Sequence, residues 1–555
     1  MTLSSNKRKL AVWLIAAGIL LTLASRIAVG RFLANDTPGD GVLYAQLARN
    51  ILEQHVFSVD DQPPYEPTLI RLPGYPLFLA GVYAIFGHGN NAAVHLVQAI
   101  IDTGTCVLIA LIAWNWDPDE RRRRTSAAIA FVLAALCPFM VIYVGIILTE
   151  TITVFLACAM TLTATYALKS DRLQQALFWW VTTGLLGGVC VTFRPDAGLF
   201  LGGIGLTLVL VNLFGSRFTH EQRFKDRLAR TFAGGALMSV AFAAVLVPWA
   251  IRNERLFHVF QPLAPAHAEM PGEFVPFGYN RWLRTWIDDQ RYIDPLLWAL
   301  NDKPILLDDI PASAFDSPEQ QARVAALLDR YNHPFPQSSP EGSPGNKQQD
   351  ESDSADSNDN QDGSSDQSDT ATDESDNEEE ADVPEVPSLV AMTPEIDAEF
   401  GKIADERIAR SRVRYHLLLP VKRAAGMWFD THSQYYPFDG ELFPLSDMDH
   451  STQQQLWLPL FTILTWVYTI LALYGAYFLF RSGAGRQWVL LAALMTLPRL
   501  AFFATLENPE PRYVIELFAF TAVLGGIAIA KFVRSIAGDD EDESIIESTP
   551  AVGVQ

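Results

Sequence analysis

Apolar residues recur along this chain in runs of about 18 to 22, the length that crosses a hydrocarbon core as helix. The pattern predicts spans near residues 10–29, 92–114, 125–143, 151–168, 175–193, 197–214, 232–251, 456–480, 487–505 and 513–530. Ten such helices make an all-α polytopic membrane protein. A further apolar segment, Pro76 to Phe86, has only 11 residues and follows Pro73-Gly74-Tyr75-Pro76, so it is too short to cross.

Charge fixes how these spans are threaded. If Pro76–Phe86 stays in the interface, Arg121 to Arg124, the Arg217 to Arg230 loop, Arg481 with Arg486, and Lys531 with Arg534 all face one side, the cytoplasm by the positive-inside rule. If it crossed, the first two basic loops would face outward. The segment is therefore expected to be a re-entrant or interfacial helix of the first external loop.

The chain then divides into an N-terminal anchor (1–30), a first external loop (31–91), a membrane bundle (92–251), an external region (252–455), a C-terminal bundle (456–530) and an acidic cytoplasmic tail (531–555). The N-terminal run, after Lys7, Arg8 and Lys9, has the form of a signal peptide too; the many spans that follow favour an uncleaved anchor. Within the external region, residues 337–387 are Ser, Asp, Asn, Glu and Gln with almost nothing apolar, a composition that predicts disorder. They separate two foldable pieces, Asn253–Phe335 and Met392–Gln455. The second carries a basic amphipathic pattern from Ala398 to Phe429, with Arg407, Arg410, Arg414, Lys422 and Arg423. It reads either as a helix on an anionic membrane surface or as a solvated lead into the next span.

Composition changes little of this. The 555 residues are 49% hydrophobic and 11% aromatic, too apolar for an ordinary acidic soluble protein. The net charge of -22 suggests basic partners until it is located: residues 350–385 hold 16 acids and no Lys or Arg, and residues 539–547 hold 6 more. Those two segments account for the imbalance, so acidity says nothing about a substrate. Cys106, Cys137, Cys158 and Cys190 all lie in apolar spans and read as packing residues rather than disulfide or zinc partners. No repeat of 20 to 50 residues is visible, which weighs against an inverted-repeat transporter.

The informative polar residues sit at the outer ends of spans. Asp40 begins a short helical pattern, Val42 to Ile51, and is either an N-cap or a reactive acid. Glu150 lies in the turn Leu148-Thr149-Glu150-Thr151, where it faces water, a cation or substrate. Arg71, Arg194, Arg252 and Arg512 occupy outer positions that the positive-inside bias depletes. Each alone reads as a snorkelling or helix-end residue; four at one level favour an anion site. Inside the spans, His95, Gln98 and Asp102 share a face of the second helix and Arg499 follows Pro498. Asp102, roughly 15 Å below the surface at 1.5 Å per residue, reads as a structural charge inside the bundle.

Asp40 with Tyr44 and Ala48, RLPGYPLFLA (71–80), Phe86-Gly87, Leu148-Thr149-Glu150, FRPDAG (193–198), VPWAIRN (247–253) and Pro511-Arg512-Tyr513 occur in an order and spacing that resemble the GT-C superfamily of polyprenyl-phosphate-sugar-dependent glycosyltransferases. Protein O-mannosyltransferases (glycosyltransferase family 39) and the aminoarabinose transferase of lipid A belong to that group. The resemblance covers about Leu10 to Ala530 and does not identify the acceptor. It implies a GT-C-like bundle with a large external loop domain, Asp40 as the acid-base residue of the first external loop, and outer arginines on the donor phosphate. The chain has Asp40-Gly41 where a plain Asp-Glu pair is expected, so a second carboxylate must come from elsewhere, and Glu150 is the choice.

The expected function is transfer of one sugar from a polyprenyl phosphate carrier to an acceptor hydroxyl on the external, periplasmic-type face of the cell membrane, with inversion. Asp40 would act as base and Glu150 would orient acceptor or sugar. Tyr44, Arg71, Tyr75, Arg194, Arg252, Arg512 and Tyr513 would bind substrate. The partners are the lipid-linked sugar and a lipid, protein or polysaccharide acceptor, with no nucleic acid. No cofactor is required and no metal-ligand cluster is visible. The rivals are a lipid or solute transporter, favoured by Asp102, Arg499 and His95, and an inactive lipid-linked-sugar binding protein.

Overall fold

Apolar runs with few breakers fold as long helices, and their interruptions carry the architecture. The computed structural model describes residues 5–34, 39–214, 224–334, 390–429 and 452–536, and the regular elements among these residues are all helices, with no strand. In chain order the first elements are α1 (Ser5–Phe32), α2 (Asp40–Glu53), α3 (Gly74–Phe86), α4 (Asn91–Trp116), α5 (Arg123–Leu136), α6 (Pro138–Val141), α7 (Glu150–Lys169), α8 (Leu173–Phe193), α9 (Gly198–Phe214) and α10 (Phe224–Phe257). Then come α11 (Phe277–Arg284), α12 (Pro318–Asn332), α13 (Pro394–Arg410), α14 (Leu419–Phe429), α15 (Thr452–Arg481), α16 (Arg486–Ala504) and α17 (Leu517–Ile536). Among the described residues nine helices are long and apolar enough to cross a membrane, or ten if one bent pair is counted as a span.

That bent pair corrects the straight span expected at 125–143. Pro138 has no N–H and restricts the residue before it, and the helix bends by 53° between Arg123–Leu136 and Pro138–Gly145. The chain then runs irregularly to Glu150. Buried Gln98 of α4 holds this stretch by donating to the carbonyls of Val144 (3.0 Å) and Ile146 (2.9 Å). A break in the backbone ladder at membrane depth needs such internal partners. Asp102, one turn further along α4, pairs with Arg26 of α1 at 2.8 Å with both side chains buried, the structural role expected of it.

The short apolar helix is α3, with 13 residues, and Leu77, Ile85 and Phe86 on its surface. A Cβ on Gly74 would stand 2.6 Å from the Thr192 carbonyl oxygen, so only glycine lets α3 start against the end of α8. At one end of the bundle the basic loops gather: Arg534 meets Asp119 at 3.5 Å, and Arg122 and Lys531 both lie over the Phe478 ring.

Residues 252–455 differ from the two pieces expected. Tyr279, Trp282 and Trp286 share one buried core with Ile396, Phe400 and Ile403, so α11, α12 and α13 form a single unit across the acidic insertion. The basic helix of 398–429 is in fact two helices separated at Ser411. Arg407 is buried against Asp316 at 2.9 Å, and Arg423 is buried with Nε donating to the Ile287 carbonyl at 2.7 Å. Two of its cations are therefore internal struts. Met427 and Trp428 of α14 pack on the membrane core, and Arg284 of α11 is ion-paired with Glu507 in the α16–α17 loop. The acidic insertion 337–387 and the acids of 539–547 lie outside the described residues.

Candidate functional site

Three interruptions of the helical body converge at the end opposite the basic loops: the start of α2, the α8–α9 turn and the α16–α17 loop. Asp40 is the first residue of α2, and its N-cap is Gly39 with φ 133. The carboxylate does not cap its own helix. Its Oδ1 accepts from Arg71 at 3.0 Å and its Oδ2 from Arg512 at 3.3 Å. Burial raises the pKa of a carboxyl, but Arg512 and Arg71 outweigh it and hold Asp40 below the usual carboxylate range. The next position is glycine and is closely packed. A Cβ on Gly41 would stand 3.0 Å from the Ile147 carbonyl oxygen, so a second acidic side chain there would press on the irregular stretch before α7.

Glu150 opens α7 and is buried, and of the partners its turn position allows it faces a cation. Its Oε1 accepts from Arg194 at 2.7 Å. Arg194 also reaches Asp196 at 3.3 Å, and Glu516 lies 4.0 Å from its Nε. Arg499 completes this group by pairing with Asp196 and, at 2.9 Å, with Glu516. Its Nε donates to the Tyr513 carbonyl at 3.1 Å. Arg499 and Glu516 have no exposed side-chain surface. Burial pushes the Glu516 carboxyl up against the opposing pull of Arg499 and Arg194.

Tyr513 lies between the two groups. Its ring stacks on Phe503 with centroids 4.7 Å apart, and the Arg194 and Arg512 guanidinium groups each lie 5.3 Å from its centroid. Beside Arg512 is a further acid, Glu510, whose Oε2 stands 2.7 Å from Arg512 Nε. Glu510 has no exposed surface, and burial pushes its carboxyl up despite Arg512.

The other expected residues separate. Tyr44 packs edge-on against Tyr75 at 5.1 Å, and burial followed by the charge of Asp40 pushes its hydroxyl up to about 12. Tyr75 is fully buried and donates to Gln98 at 2.9 Å, so it packs behind the site instead of offering a face to substrate. Arg252 stands outside the network. It donates to the Thr68 carbonyl at 2.6 Å and lies over Trp249, Phe257 and Phe57 at 4.8, 5.1 and 5.6 Å. No carboxylate pairs with it among the described residues.

The amino-acid pattern does not single out Asp196, Arg499, Glu510 and Glu516 as site residues. The available signal was proximity: Asp196 lies in FRPDAG, and Glu510 and Glu516 flank the Arg512 motif. Among the described residues no group of three His, Cys, Asp or Glu side chains is arranged to hold a metal ion. The constellation is a chain of alternating charges, with one carboxylate at its open end.

Residues 64–249 match the family of dolichyl-phosphate-mannose-protein mannosyltransferases. Comparison with characterised proteins at the sequence level gives no match. Among solved structures the chain is similar to the Archaeoglobus fulgidus oligosaccharyltransferase tethered to an acceptor peptide: TM-score 0.43, 13% identity, 96% of this chain and 52% of that one. The same archaeal enzyme, AglB, with an inhibitory peptide and a dolichol-phosphate gives 0.43 and 13% over 98% and 53%. ArnT from Cupriavidus metallidurans bound to undecaprenyl phosphate gives 0.35 and 14% over 98% and 82%. The chain spans about half the length of the archaeal structures.

Proposed function

We propose that this chain, a GT-C superfamily glycosyltransferase by the match of residues 64–249, moves one sugar from a polyprenyl phosphate carrier to an acceptor hydroxyl at the external face of the cell membrane. The observation that carries the proposal is the partly open Asp40 carboxylate shared between Arg71 and Arg512. The family's dolichyl-phosphate-mannose donor supports the carrier class. An apolar α3 with exposed Leu77, Ile85 and Phe86 supports a lipid-linked substrate at the same level.

Four arginines, Arg71, Arg194, Arg499 and Arg512, face five carboxylates, Asp40, Glu150, Asp196, Glu510 and Glu516. With these acids ionised every cation is matched, so a phosphate binds by displacing a carboxylate. Asp40 is the one that yields, because its side chain is 27% exposed while the others are at 10% or less. Phosphate then takes Arg71 and Arg512, and Asp40, relieved of two cations, becomes a stronger base.

In the reaction the acceptor oxygen attacks the anomeric carbon and its proton passes to Asp40. The bond from the anomeric carbon to the phosphate oxygen breaks, and its electron pair leaves on polyprenyl phosphate, stabilised by the two arginines. A single displacement inverts the anomeric centre. Glu150 acts at one remove, by holding Arg194 against the Tyr513 ring.

The test is Asp40→Asn in reconstituted membranes. Transfer is expected to fall by ~10²- to 10⁴-fold, the usual contribution of a positioned base, with donor-lipid binding retained. Undiminished transfer by a folded variant would remove Asp40 from the reaction.

A further inference from the structure

Of the two fully sealed acids of the network, Glu510 and Glu516, Glu510 has the fewer partners. Its side chain has no exposed surface, its Oε2 meets Arg512 Nε at 2.7 Å, and neither oxygen accepts a well-aligned hydrogen bond. Glu150 and Glu516 each accept a well-formed hydrogen bond from an arginine, at 2.7 and 2.9 Å. A buried carboxylate with one partner is expensive to keep, so its place calls for a reason. The backbone gives a second observation. Glu510 sits between Pro509 and Pro511, two residues of fixed φ, and its carbonyl accepts from Tyr513 N at 3.1 Å. The loop therefore presents Glu510 to Arg512 from a stiff turn.

We infer that Glu510 is a positioning residue for the donor phosphate, holding the Nε side of Arg512 in place while the other end of the guanidinium passes from Asp40 to phosphate. The inference rests on Arg512 being a phosphate ligand, as proposed above. Arg512 spans the two acids, Nε toward Glu510 and NH1 toward Asp40. Without Glu510 the guanidinium closes fully on Asp40, and phosphate must break a tighter pair to enter. Loss of the Glu510 charge also raises the local positive potential, which works the other way. Glu510 lies on the far side of the guanidinium from Asp40, so loss of the tether is expected to dominate.

The experiment measures binding of a polyprenyl monophosphate to the full chain in nanodiscs, for wild type, Glu510→Ala, Arg512→Ala and the double variant. Glu510→Ala is expected to weaken binding about tenfold, the scale of one charge-assisted contact, and to raise donor KM with kcat at saturating donor nearly unchanged. In the Arg512→Ala background the same substitution is expected to change binding less than about twofold, because acting through Arg512 makes the two non-additive. Equal or tighter binding by Glu510→Ala overturns the role, as does an equal loss in both backgrounds. If Glu510→Ala does not fold, Glu510→Gln keeps the volume, with weaker binding expected and wild-type affinity overturning the role. A wild-type chain that binds no polyprenyl phosphate, or binds it regardless of Arg512→Ala, refutes the phosphate site itself.

Discussion

The open end of the charge network, at Asp40, and its sealed end, around Arg499, use the same two residue types and differ in what reaches them. Asp40 and Arg71 keep 27% and 26% of their side-chain surface. Arg499 and Glu516 keep none. An ion pair still in touch with water is worth little to stability, about 0 to 1 kcal/mol, and is readily exchanged for another partner. A sealed pair has no such alternative, and removing one member strands the other. The difference teaches which charges can trade partners with a ligand and which hold the ligand site in register.

Breaking the sealed end should have the largest effect. Arg499→Ala leaves Asp196 and Glu516 with Arg194 alone, so a loss of ~3–5 kcal/mol is expected, read as a lowered Tm and poor recovery of folded protein. A Tm equal to that of wild type would erase the distinction between the two ends. Asp40→Asn sits at the other pole: transfer collapses while the Tm moves little, because the ion pairs it weakens are partly open to water.

A finer test of the open end is its pH response. Arg512 and Arg71 hold Asp40 below its ordinary value against burial. Its ionised form is thus favoured by folding: the stabilisation is present above the unfolded carboxyl value and is lost as pH falls through the lowered folded value. A base works only while deprotonated, so the acid limb of kcat/KM should lie below the ordinary carboxylate range. Arg71→Ala removes one cation and should move that limb to higher pH by roughly one unit. An unmoved limb would mean that Asp40 is not the group titrating there.

The comparison also shows what the amino-acid pattern could and could not disclose. Span lengths and basic loops marked the membrane body, and the shortness of Gly74–Phe86 marked α3, because those features are local. The bend at Pro138 was signalled by the proline itself, yet the apolar run around it reads as one span. Arginines at outer span ends stand out against the positive-inside bias. The acids that match them do not, because an acid in an external loop is ordinary. Asp196, Glu510 and Glu516 acquire meaning only when the α8–α9 turn and the α16–α17 loop bring them to Arg194, Arg499 and Arg512. The same blindness placed Arg252 with the phosphate ligands, since its outer position looked equivalent to theirs.

Arg252 supplies the smallest expected effect and a control on the whole scheme. Its guanidinium is already engaged, with three aromatic rings around it and the Thr68 carbonyl at 2.6 Å. These contacts tie the Phe57–Thr68 stretch of the α2–α3 loop, which ends three residues before Arg71, to α10. Arg252→Lys keeps the charge but loses the planar fork that lies on rings and reaches a carbonyl at once. A stability loss of about 1 kcal/mol is expected, within the range of cation–π contacts, with donor affinity changed less than about threefold through a small shift of Arg71. Affinity for a polyprenyl monophosphate separates the alternatives. If Arg252→Lys weakens it as strongly as Arg512→Ala does, Arg252 moves onto the phosphate when the lipid binds, and the boundary between the open end and its supporting loop must be redrawn.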